Sequence, residues 1–106
     1  MKRFTISCIL FLLFASFTFS AEVDTVSVFS SNMNKNIKNV VVKPESYNNQ
    51  PDFPVIYLLH GYSGRYDNWI NNVPVIKELA DLYEVMIVCP DGGYDSWYWD
   101  SPVDSS

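Results

Sequence analysis

Two continuous apolar runs, with a helix-spaced segment between them, constrain the fold of this chain more than any other feature. The first is Pro54-Val55-Ile56-Tyr57-Leu58-Leu59; the second is Glu84-Val85-Met86-Ile87-Val88-Cys89, closed by Pro90. Apolarity at consecutive positions, without alternation, predicts strands covered on both faces, as in a parallel sheet. Between them Pro74 suits the first turn of a helix, and Ile76, Leu79, Ala80 and Tyr83 follow at helical spacing. Strand, loop, helix, strand is a βαβ unit, whose crossover is expected to be right-handed. The fold class is therefore α/β.

Upstream, residues 25–30 alternate hydroxyl side chains with Val26 and Val28 and read as a strand. Residues 31–36 form a polar turn holding Asn32, Asn34 and Asn36, and residues 37–43 read as a second strand closed by Pro44. Together they predict an antiparallel hairpin at a sheet edge. Residues 45–52 read as an Asn-rich loop. One helix does not cover both faces of such a sheet, and residues 97–106 read as an aromatic-rich loop cut in mid-course. Residues 21–106 are therefore expected to be the N-terminal portion of a single larger domain.

The first twenty residues read differently. Met1-Lys2-Arg3 is a basic start, residues 6–19 are almost wholly apolar, and Thr18-Phe19-Ser20 places small residues where a signal peptidase reads them. Cleavage between Ser20 and Ala21 is expected, giving a secreted or periplasmic chain. The apolar run is shorter than the roughly 20 residues a spanning helix needs, so no stable membrane anchor is expected. Cys8 precedes most of the apolar core, the wrong order for a lipoprotein cysteine.

Removing that segment takes away Lys2 and Arg3 but no acid, so the net charge moves from −5 to −7. Such a surface repels phosphate backbones and anionic membranes, which argues against nucleic acid as a partner. One cysteine, Cys89, remains beyond residue 20, so no internal disulfide is available, and its hydrophobic setting reads as core. A single histidine and a single cysteine do not make a zinc site, and no metal or cofactor is expected.

The chemistry-bearing stretch is His60-Gly61-Tyr62-Ser63-Gly64, directly after the first apolar run. A loop there must turn sharply while aiming backbone N–H groups at a substrate oxygen, and Gly61 and Gly64 are expected to permit the dihedrals involved. Donors preorganised in this way stabilise the tetrahedral oxyanion of acyl transfer. The donor would be the amide of Tyr62. His60 would bond loop backbone instead of moving protons.

Residues 54–104 resemble the esterase family that includes esterase D-like enzymes, secreted feruloyl esterases and mycobacterial mycolyltransferases. The resemblance rests on Val55-Ile56-Tyr57-Leu58-Leu59-His60-Gly61, on Asp67-Asn68-Trp69, and on Cys89-Pro90-Asp91-Gly92-Gly93-Tyr94 leading to Trp97-Tyr98-Trp99-Asp100-Ser101-Pro102. It implies an α/β-hydrolase fold, with Tyr62 supplying one oxyanion-hole amide and the residue after a nucleophilic serine supplying the other. Asp91, Gly92 and Gly93 would then lie at the carboxyl end of their strand, where α/β folds place ligand crevices. Tyr94, Trp97, Tyr98 and Trp99 would line an acyl or alcohol pocket, or else pack as core aromatics.

The family's nucleophile is the serine of G-x-S-x-G, followed in chain order by an acid and a histidine. These 106 residues contain no G-x-S-x-G, and Gly61-Tyr62-Ser63-Gly64 has its second glycine one position early. His60 stands too close to Ser63 in sequence to act as its remote base. Nucleophile, acid and base are therefore expected outside this chain, and residues 1–106 alone are expected to be inactive. The expected activity of the parent is hydrolysis of small or carbohydrate-linked esters through an acyl-enzyme. An acyltransferase of the same family and a non-catalytic carbohydrate-binding module are the alternatives.

Overall fold

The computed structural model describes residues 21–49, 52–96 and 98; the proposed leader, Trp97, Trp99 and the last residues lie outside the described set. Strands β1 (Glu22–Ser30) and β2 (Lys35–Lys43) form an antiparallel hairpin in register Glu22↔Lys43 through Ser30↔Lys35. A 3-10 helix (Glu45–Asn49) leads to strand β3 (Val55–Tyr57), short helix α1 (Asn68–Asn72), helix α2 (Ile76–Tyr83) and strand β4 (Met86–Pro90). The sheet order is β1-β2-β4-β3. β4 pairs in parallel with β3 and antiparallel with β2. The α/β class and the edge hairpin are as the sequence predicts.

One face of the sheet carries the core. Val40 and Val42 of β2 stand opposite Cys89 and Ile87 of β4, and Ile76 and Ala80 of α2 close over them together with Ala21. The strand period of two puts these four strand residues on one face, and the i, i+4 spacing puts the two helical ones on one stripe. Burial pushes the Cys89 thiol above its ordinary range, which disfavours the thiolate and fits an inert core residue.

Several details depart from the sequence reading, each for a local reason. β4 begins at Met86 and not at Glu84, because Glu84 and Val85 terminate α2. Glu84 takes a left-handed conformation with φ 50°, its N–H bonding back to the carbonyls of Ala80 and Asp81, and Val85 N–H donates to Ala80 at 3.1 Å. That is the hydrogen-bond logic of a Schellman stop, made here without glycine. Pro74 lies before the helix instead of in its first turn, inside a turn closed by Ile76 N–H to the Val73 carbonyl. Leu79 and Tyr83 are exposed, so the buried stripe of α2 narrows to Ile76 and Ala80.

The open state of β3 is what a sheet with one covering helix predicts. Its Val55, Ile56 and Tyr57 are 43%, 44% and 65% exposed, although a continuous apolar run of this kind suits a strand covered on both faces. Among the described residues β3 pairs on one side only, with β4, and its three side chains stay exposed. Three consecutive apolar residues in that state are unfavourable at roughly 25 cal/mol per Å2 of apolar surface left wet. Residues 21–106 produced alone are accordingly expected to give a broad, weakly cooperative thermal transition and to bind the dye ANS. A sharp calorimetric peak with no dye binding would contradict this.

Candidate active site

Because β3 and β4 are parallel neighbours, the loops that leave them emerge at the same end of the sheet. This is the end where α/β folds place their ligand crevices. The ladder continues one step past β3, with Leu58 N–H donating to the Val88 carbonyl at 2.9 Å, so the first loop departs from a fixed point. It carries residues 59–64; the second loop carries residues 91–96 and Tyr98.

His60 ties the two loops together. Its side chain is 2% exposed. The Gly92 N–H donates to Nε2 at 3.0 Å, and Nδ1 lies 2.8 Å from the Gly61 carbonyl oxygen. An amide only donates, so Nε2 accepts and the ring proton sits on Nδ1, where it serves Gly61. Nε2 is also 3.5 Å from Asp91 Oδ1. In this tautomer both of those atoms are acceptors, so the proximity is not an ion pair; the partner of Asp91 Oδ1 is the Gly93 N–H at 2.9 Å. Both ring nitrogens of His60 are thus engaged by backbone.

Two further hydrogen bonds join the loops. Ser63 N–H donates to the Tyr94 carbonyl at 2.8 Å, and His60 N–H donates to the Tyr98 hydroxyl at 2.9 Å. The Tyr98 hydroxyl in turn donates to the Pro90 carbonyl at 3.3 Å, and its ring lies against His60 and over the backbone of Gly92. Burial pushes the Tyr98 phenol above its ordinary range, against the pull of the His60 amide, which keeps the hydroxyl a donor for Pro90. Tyr98 is therefore directed onto the loops themselves. Ser96 adds a hydroxyl bond to the Gly92 carbonyl.

The glycines act otherwise than their dihedral freedom suggests. The left-handed position of the first loop is Ser63, with φ 58°, and neither Gly61 nor Gly64 has positive φ. Gly64 is required by crowding: a Cβ there would stand 2.7 Å from Asn68 Nδ2 and from His60 Nδ1, and 2.9 Å from the Gly61 oxygen. A Cβ on Gly61 would meet nothing within 4 Å. In the second loop Gly93 has φ 80°, a conformation that side chains rarely adopt.

Tyr62 and Tyr94 meet edge to face with centroids 5.3 Å apart, and both rings are well exposed. They stand side by side on the surface of the joined loops. Asp91 and Gly93 shape the second loop through their own hydrogen bond, and Trp97 and Trp99 lie outside the described residues. Sequence reasoning did not single out the anchor Trp69, whose indole N–H donates to the Leu59 carbonyl at 3.1 Å and fixes α1 to the end of β3. Its only signal was the Asp67-Asn68-Trp69 stretch, which carries no periodicity. Among the described residues no group of three His, Cys, Asp or Glu side chains could hold a metal ion.

A family model described as "Putative esterase" matches residues 30–105. The chain belongs to this esterase family. A solved ferulic acid esterase is 28% identical, with a TM-score of 0.60 over 74% of this chain and 33% of that one. A ferulic acid esterase from Anaeromyces mucronatus, solved with ferulic acid, is 22% identical, with a TM-score of 0.59 over 76% of this chain and 31% of its own. The S-formylglutathione hydrolase of Staphylococcus aureus is 16% identical, with a TM-score of 0.58 over 69% of this chain and 31% of its own. The last two likenesses speak to fold alone. The chain spans about a third of the length of these solved structures. Comparison with curated protein sequences gives no match.

Proposed function

We propose that these residues form the oxyanion-loop side of an exported serine esterase. The observation that carries this is the joining of the His60 and Asp91 loops, by three hydrogen bonds, at the carboxyl ends of two parallel strands. Such a unit holds the Tyr62 amide at a fixed point on a rigid base, the preorganisation that a developing oxyanion requires. The nucleophile, acid and base come from sequence outside these 106 residues. Serine Oγ attacks the ester carbonyl carbon while its histidine takes the proton and passes it to the departing alcohol; water then releases the acid from the acyl-enzyme. The chain needs no cofactor for this.

The exposed Tyr62–Tyr94 pair offers flat surfaces for a ring-bearing substrate, a sugar or an aromatic acid. The likeness to a ferulic acid esterase favours esters of aromatic acids. Residues 1–20 direct export and are cleaved after Ser20, and the acidic mature surface suits a soluble enzyme outside the cytoplasm.

The test is to treat the complete exported protein with a fluorophosphonate, locate the modified residue, and assay methyl ferulate and p-nitrophenyl acetate hydrolysis. One modified serine, other than Ser63, with turnover lost in proportion to labelling, is the expected result. Labelling of Ser63 would overturn the loop assignment. No labelling and no turnover would overturn the esterase reading.

A further inference from the structure

We infer that the new N-terminus released by signal cleavage docks as an ammonium on Asp81 and locks β1 to the end of helix α2. This rests on the proposed cleavage after Ser20. Ala21 is held in the fold: it is 5% exposed and belongs to the core with Val42 and Ala80. Its nitrogen lies 2.9 Å from Asp81 Oδ2. The other carboxylate oxygen, Oδ1, accepts the Glu45 N–H at 2.8 Å. One side chain thus gathers the start of β1, the start of the 3-10 helix and the last turn of α2.

The charge balance around Asp81 is the second observation. The last turn of α2 holds no basic residue, and the next positions bring Glu84. An acid at the carboxyl end of a helix faces the negative end of the helix dipole and is disfavoured there. Among the described residues no Lys or Arg side chain pairs with Asp81. An uncleaved chain would offer Asp81 two neutral amides. Cleavage replaces one of them by an ammonium at the same position, with a full positive charge and spare donors. Charge-assisted bonds of this kind are roughly twice as strong as neutral ones. Processing therefore supplies a cation to a carboxylate that no Lys or Arg among the described residues pairs with, and holds the hairpin against the helix more firmly in the exported form.

The experiment begins with mass analysis of the intact exported protein, where Ala21 is expected as first residue. The rate at which an amine-reactive ester modifies that α-amino group is then measured in the parent and in Asp81→Asn. The parent is expected to react about tenfold more slowly, a factor in keeping with a hydrogen bond to a charged group. A Gly-Ser extension ahead of Ala21 is expected to lower the unfolding midpoint by about 3 °C, and Asp81→Asn to cost less in the extended chain than in the parent. Equal reaction rates in parent and Asp81→Asn, or additive losses in the extended variant, would overturn the lock. A first residue other than Ala21 would overturn the cleavage site and the lock together, and leave the esterase reading to its own assay.

Discussion

The Gly64→Ala variant of the complete protein is expected to unfold about 6 °C below the parent and to lose about a hundredfold in kcat. The added Cβ has no room: two of its three nearest neighbours are His60 Nδ1 and the Gly61 oxygen, members of the hydrogen bond that shapes the loop. Overpacking against such groups costs about 2 kcal/mol, equivalent to about 6 °C in a domain of roughly 200 residues. The relief available is displacement of the loop, which moves the Tyr62 amide, the proposed oxyanion donor. Loss of one oxyanion donor is worth about a hundredfold or more in kcat. Gly61→Ala is the control, since its Cβ would meet nothing, and its melting point should match the parent. A Gly64→Ala protein with normal stability and normal kcat would show that the loop geometry does not matter to catalysis.

His60→Ala is expected to be the more damaging change, with about 3 kcal/mol of stability lost. It leaves the Gly92 N–H and the Gly61 carbonyl without the ring atoms that now satisfy them, and it opens a cavity under Tyr98. A buried polar group stripped of its partner costs about 1–3 kcal/mol. Activity should fall steeply because the two loops come apart. The informative reading is the pH dependence of what remains. A histidine whose two nitrogens are held by backbone positions the loop, so the acid limb of the rate profile should stay where it is in the parent. Disappearance of that limb would identify His60 as the general base and remove the positioning role.

Much of the frame was legible in the sequence, and for a common reason. The hairpin, the βαβ order and the helix over residues 76–83 all follow from short-range spacing, which a linear chain displays directly. What escaped depends on groups far apart in sequence or on elements too short to show a period. Helix α1 has five residues, fewer than two turns. The place of β4 between β2 and β3 is a property of the sheet, which a run of apolar letters does not display. The positive φ of the first loop fell on Ser63, between two glycines that looked better suited to it. Tyr98 was legible as an aromatic among aromatics; that its hydroxyl would cap the amide of His60, 38 positions earlier, was not.

The position of Cys89 gives the sheet a clock of its own. Cys89 is buried on β4, opposite Val40, in the core that Ile76 and Ala80 of α2 share, and two residues ahead of Asp91. A thiol reagent reaches it only when that part of the sheet parts from the helix. The slow fraction of time spent open at the base of the second loop can therefore be counted by chemical capture, at a residue native to the chain and without any probe being added.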